Sequence, residues 1–96
     1  MTAYLVAGID WTDAKIANEY RERLGATLEK YGGKTLVAGK PEALEGKWNP
    51  GRVVVIEFPS MDHLQKWYHS PEYAPLIALR QRGSTGDLLA TQYTPG

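Results

Sequence analysis

The segment Arg52 to Phe58, RVVVIEF, reads as a strand that is apolar on both sides: Val54, Ile56 and Phe58 fall on one face, Val53 and Val55 on the other. Residues 3 to 11 behave alike, with Leu5, Ala7, Ile9 and Trp11 alternating with Tyr4, Val6 and Gly8. Between the two, Ile16, Tyr20, Leu24, Leu28 and Tyr31 recur at helical spacing. That helix is expected to be capped by Thr12, with Asp13 in its first turn, and stopped at Gly32. Residues 34 to 39, KTLVAG, make a short strand, and KPEALEGKWNPG is a Pro- and Gly-rich loop.

After the third strand, Pro59 and Ser60 open a second helix whose Met61, Leu64, Trp67 and Tyr68 share a face. Ser70 and Pro71 break it, and Tyr73, Leu76, Ile77 and Arg80 continue in a restarted helix whose first turn accommodates Pro75. GSTGD is expected to turn and DLLATQYT to form the last strand. The order β-α-β-β-α-β predicts an α+β fold, a ferredoxin-like four-stranded antiparallel sheet with the helices on one face and the first and third strands central. One domain spanning residues 1–96 is expected, since chains usually split only beyond roughly 250 residues.

The two-sided strands bear on assembly. Antiparallel sheets with one wet face alternate cleanly, and these do not. Four strands about five residues long give a footprint of roughly 300 Å², near the limit at which monomers leave an apolar patch open. The second face is therefore expected to be buried against another copy in an isologous homodimer. The competing expectation is a monomer whose face is partly hidden by the 40–51 loop.

Eleven basic and eleven acidic residues, spread without blocks, argue against nucleic acid and anionic membranes as partners. Val53 and Val55 also stand where an RNA-binding sheet needs stacking aromatics. The absence of cysteine excludes disulfides, thiol nucleophiles and thiolate metal sites. No apolar run approaches the roughly 20 residues that span a bilayer, and the first residues carry no signal-peptide pattern, so a cytoplasmic protein is expected.

LEKYGGKTLVAG, LEGKW, RVVVIEFPS, WYHSPEY and the later Arg80 together resemble the family known as domain of unknown function 1330 over nearly the whole chain. The resemblance implies a ferredoxin-like fold in the dimeric α/β-barrel superfamily. It carries no defined activity, because that family is uncharacterised; looser relatives include cofactor-independent monooxygenases, lactone isomerases and haem-binding enzymes. Trp11 is less typical of the family.

No motif of a known chemistry emerges. GGKT at 32–35 lacks the first glycine of a phosphate loop and follows a helix where such a loop follows a strand, so it reads as a helix stop. His63 and His69, six positions apart, lack the i, i+4 spacing of a helical metal pair, and Ser60 and Ser70 are better placed as caps than as nucleophiles. No metal and no cofactor are expected.

The remaining ligand-binding candidates are Tyr20, Glu45, Trp48, Arg52, Glu57, Tyr73 and Arg80. An arginine with tyrosines at the rim of an apolar pocket can orient a small carboxylate or enol. The alternative is structural, with Glu45 pairing Arg52 or Arg80 and Trp48 plugging the barrel end. Glu57 falls on the face expected to meet a partner, where it is paired, at the rim, or held protonated as a general base. The expected role is a small-metabolite-binding or structural homodimer without chemistry; the alternative is a cofactor-independent enzyme of monooxygenase or isomerase type acting on a small carbonyl compound.

Overall fold

In the computed structural model, which describes residues 1–95, the elements run β1 (Ala3–Trp11), α1 (Ala14–Lys30), β2 (Lys34–Gly39), β3 (Arg52–Phe58), α2 (Met61–Tyr68), α3 (Ala74–Gly83) and β4 (Ser84–Gln92). The sheet is antiparallel in the order β2-β3-β1-β4, so the two strands that are apolar on both sides are the central pair. The helices cover one face, and the body measures 36 × 35 × 17 Å, two layers thick. This is the ferredoxin-like fold, with its second crossover helix divided into α2 and α3.

Local chemistry explains most boundaries. Asp13, not Thr12, caps α1, its Oδ1 accepting from the N–H groups of Lys15 and Ile16 at 3.0 and 3.1 Å. Thr12 instead donates its N–H to the Gly83 carbonyl at 2.8 Å, tying the helix entry to the end of α3. Gly32, at φ +78°, ends α1, and Gly33 N–H returns to the Leu28 carbonyl at 2.8 Å, so GGKT is a helix stop. Ser60 caps α2 by accepting from His63 N–H. Ser70 forms the break: its hydroxyl donates to the Trp67 carbonyl at 2.7 Å and accepts from Tyr73 N–H at 3.1 Å, holding the 69–73 turn between the helices.

The expected turn at GSTGD is absent, because β4 begins at Ser84, directly after α3. Its glycines serve close packing: a Cβ on Gly83 would stand 2.6 Å from Ile16, and one on Gly86, at φ +152°, 2.1 Å from the Gly8 carbonyl oxygen. Close approach of the Ile16 side chain to Gly83 and of the Gly8 backbone to Gly86, not chain reversal, accounts for that composition.

The core lies between the helices and the sheet. Phe58, Trp67 and Tyr73 are fully enclosed, and the Trp67 and Tyr73 rings stack with centroids 4.0 Å apart. Trp67 Nε1–H donates to Thr27 Oγ1 at 3.1 Å, which satisfies the buried indole. Complete burial of Trp67 alone is worth about 2–3 kcal/mol.

The other face carries no helix. Register aligns Val37, Val55, Val6 and Leu89 in one row across all four strands, flanked by the row Gly39, Val53, Gly8 and Asp87 and by the row Lys34, Glu57, Tyr4 and Thr91. Val37 and Leu89 remain 51% and 62% exposed. The 40–51 loop covers one part of this face, laying Trp48 and Pro50 against Gly8. The loop's far end is held where Asp10 Oδ1 accepts from Gly51 N–H at 2.7 Å.

Candidate functional site

Two neighbouring features on the helix side bring candidate residues together. The first is a cleft of about 260 Å³ between α1 and the sheet. It exists because small side chains stand where larger ones would fill the gap: Gly25 on α1, Ala7 on β1, Thr35 and Ala38 on β2. Leu5, Ile9, Val54 and Ile56 make the floor apolar, and Trp11, Tyr20, Arg21 and Arg52 supply the polar and aromatic groups. Trp11 leans on Tyr20 with ring centroids 5.5 Å apart and forms part of this wall.

The second feature is a buried polar centre behind Tyr20. The Tyr20 and Tyr73 hydroxyls are 2.6 Å apart, a hydrogen bond in which either can donate, and both residues are buried. Burial pushes the Tyr20 hydroxyl far above the ordinary tyrosine range, Tyr73 adds to the rise, and the nearby Arg80 guanidinium opposes it without cancelling it. Tyr20 therefore stays protonated at any physiological pH and serves as a donor, not a base. Of the two hydroxyl protons, one is used between the rings and the other is free for a third acceptor.

Arg80 is 6% exposed, its Nε is buried without a hydrogen-bond partner, and among the described residues no carboxylate lies within ion-pair distance of it. An uncompensated buried cation costs several kcal/mol. The carboxyl end of α3, where Arg80 sits in the last turn, returns part of that through its dipole. Arg80 also borders a shallow groove along edge strand β4, together with Tyr68, Gln81, Asp87, Leu89 and the indole of Trp48.

The seven candidates thus divide. Tyr20, Tyr73 and Arg80 form one buried group; Arg52 stands at the cleft that Tyr20 also lines; Trp48 lies over Gly8 on the opposite face and reaches the Arg80 groove at the β4 edge. Glu45 is exposed in the 44–47 bend and pairs with neither arginine; among the described residues the ion pairs are Arg23–Glu19, Lys30–Glu72 and Lys66–Asp62. Glu57 is half-buried on the helix-free face, in register with Tyr4 and Lys34. Sequence reasoning missed Arg21 and Thr27. Arg21 was findable, because Arg21, Gly25 and Leu28 follow helical spacing beside the predicted stripe.

Among the described residues no cluster of His, Asp and Glu could hold a metal ion, and no helix is long and apolar enough to cross a membrane. His63 is engaged through Nδ1 with the Ser60 hydroxyl at 2.6 Å, and His69 packs edge-on against Tyr68.

The fold and its cleft define the chain as a ferredoxin-like α+β protein with a sheet open on one side. A family profile described as Domain of unknown function (DUF1330) matches residues 2–93, and the chain belongs to that family. No curated protein matches it in sequence. Among solved structures, it is similar to a protein of unknown function from Rhodopseudomonas palustris at 17% identity and a TM-score of 0.79, covering 99% of this chain and 84% of that one. A dimeric ferredoxin-like protein of unknown function from Jannaschia sp. aligns at 10% identity and a TM-score of 0.78, covering 97% and 100%. SnoaB, a cofactor-independent oxygenase from Streptomyces nogalater, aligns at 10% identity and a TM-score of 0.71, covering 99% and 95%.

Proposed function

We propose that this chain acts in the cytoplasm as a single-domain homodimer that binds a small, partly apolar metabolite in the cleft between α1 and the sheet. The observation that carries the reading is the cleft itself: about 260 Å³ of mostly apolar space, left open by Gly25, Ala7 and Ala38 and edged by two arginines and Tyr20. Small-molecule sites have this composition, an apolar body with a few placed polar groups. Arg52 orients the ligand's polar end, and Tyr20 donates to it. The row Val37, Val55, Val6 and Leu89 supports pairing of two sheets, an arrangement in keeping with the dimeric state of the Jannaschia sp. protein.

The test is a thermal-shift panel of small lactones, enols and keto compounds on the wild-type protein and on Ala38→Leu, which fills the cleft from the exposed edge strand. Stabilisation by a compound, abolished in A38L and weakened in Arg52→Gln, supports the reading; stabilisation that A38L leaves intact overturns it. The second reading, a cofactor-independent enzyme, is favoured by the likeness to SnoaB. Oxygen uptake or isomerisation of a bound compound by metal-free protein would select it over binding alone.

A further inference from the structure

We infer that the α1 cleft takes an organic anion, a medium-chain monocarboxylate whose carboxylate meets Arg52 and Arg21 at one end and whose alkyl tail runs beneath α1 toward Leu28. The inference rests on the cleft reading and adds the ligand's charge, chemical class and direction. Register sets both ends of that path. Ile9, Ala7 and Leu5 of β1 stand opposite Arg52, Val54 and Ile56 of β3, so Arg52 marks one end and Ile56 the other, roughly 13 Å along the strands. Trp11 extends β1 beyond Ile9 and packs on Tyr20, which puts Tyr20 and the adjoining Arg21 over the Arg52 end. Leu28, roughly 12 Å further along α1, lies over the other end. It closes that end with Phe58, since a Cβ on Gly33 would stand 2.9 Å from each of them.

Charge along this path has one sign. Among the described residues, Arg21 and Arg52 are the charged side chains that line the cleft, and neither is in an ion pair. Arg21 gives one N–H to Asn18 Oδ1 at a long 3.4 Å, and no carboxylate takes the rest of its fork. The acids of the neighbouring elements are engaged or turned away. Asp13 caps α1, Glu19 pairs with Arg23, Asp10 and Glu57 belong to the helix-free face, and Glu22 and Glu29 lie outside the lining. Behind Tyr20 the buried Arg80 adds a third positive charge, again with no carboxylate beside it among the described residues. A recess with cations at one end and low-dielectric walls focuses their field, and a guanidinium binds a carboxylate through paired N–H donors. A neutral lactone or enol leaves that charge unanswered; a carboxylate answers it. The floor and roof, Leu5, Ile9, Leu24, Val54 and Ile56, are aliphatic, which suits an alkyl tail.

Octanoate, octanamide and octylamine share one tail and differ in the charge of the head. Each is titrated calorimetrically at neutral pH into the wild-type chain, A38L, Arg52→Gln, Arg21→Gln and the double variant. Arg21 is exposed and Arg52 half-buried, so R21Q and R52Q should fold as the wild type does. Octanoate should bind about tenfold or more tighter than octanamide, octylamine should bind weakest, and A38L should abolish binding of acid and amide alike. R52Q and R21Q should each weaken octanoate about tenfold, and the double variant should bind acid and amide equally. Amide bound as tightly as acid in the wild type, with A38L abolishing both, would overturn the anion assignment and uphold the cleft. An acid preference that A38L leaves intact would overturn both readings, because the anion would then sit elsewhere. Preference for the amine, an acid preference that survives the double variant, equal loss of acid and amide in R52Q, or no binding of any of the three would each overturn the anion assignment alone.

Discussion

Val55→Lys tests whether the helix-free face pairs with a second copy. Val55 sits between Val37 and Val6 in the one row of the helix-free face that is apolar across all four strands. In an isolated chain a lysine there is tolerable, because Val55 is only half-buried and the lysine stem can lie along the sheet with its amine in water. In a two-fold dimer the same substitution acts twice. Each copy loses about 1 kcal/mol of residual valine burial and takes on the cost of desolvating an ammonium, so the pair is weakened by at least about 4 kcal/mol, roughly a thousandfold in Kd. Sedimentation velocity across nanomolar to micromolar concentrations reads the shift, and far-ultraviolet circular dichroism checks the fold. V55K dimerising within tenfold of wild type, or wild type sedimenting as a folded single chain at micromolar concentration, would refute the argument.

Three further outcomes follow from local structure. Gly25→Ala should stabilise the protein by about 0.5–1 kcal/mol, read as a rise in Tm, because Gly25 lies inside α1 and an added Cβ meets nothing within 4 Å. Tyr73→Phe should cost about 1–3 kcal/mol in urea denaturation by stranding the buried Tyr20 hydroxyl, and the Tyr20→Phe, Tyr73→Phe double variant should cost less than the sum of the singles. Lys30 and Tyr31 hold the Glu72 carboxyl down at about 2 from its usual 4.5, so its contribution to stability is present above pH 4.5 and is lost as pH falls toward 2. Glu72→Gln should flatten the acid limb of Tm against pH in that window, and an unchanged limb would show that the pair adds nothing.

The sheet was legible because its signal is redundant. β1 and β3 carry apolar residues at successive positions on both faces, which marks them as strands of the sheet's middle, although, Gly8 apart, only their helix-side residues are buried within the chain. Helix boundaries were less legible where two residues compete for one role. Thr12 and Asp13 are both good caps; the structure uses Asp13, whose side chain accepts from Lys15 and Ile16, while the N–H groups of both residues meet the Gly83 carbonyl, 70 and 71 positions away in sequence, so the helix entry is set by a long-range contact. The same long-range packing turned GSTGD from a turn into the start of a strand, since a glycine needed for close approach and a glycine needed for reversal look identical in sequence.

The candidate site was legible in its residue types and not in their grouping. Tyr20 lies on the predicted stripe and Arg80 on the continuation of the last helix, but nothing in their spacing says that the Tyr20 hydroxyl meets Tyr73 or that Arg80 is buried beside them without a carboxylate among the described residues. Trp48 was the least legible of all, because a loop residue has no period. It now links the two faces: its ring rests on Gly8 within the helix-free face and also borders the groove beside Arg80. Gly8→Ala probes that link directly, since the new Cβ would stand 2.5 Å from the indole and must displace it. The movable neighbour is a side chain and not backbone, so the fold should survive at a cost of about 1 kcal/mol while Trp48 swings away. Its emission, isolated by difference against Trp48→Phe because Trp67 is fully buried and Trp11 partly so, should shift to longer wavelength. Unchanged emission in G8A would mean that the loop does not hold Trp48 on the sheet in solution, and the helix-free face would then be open across all three rows.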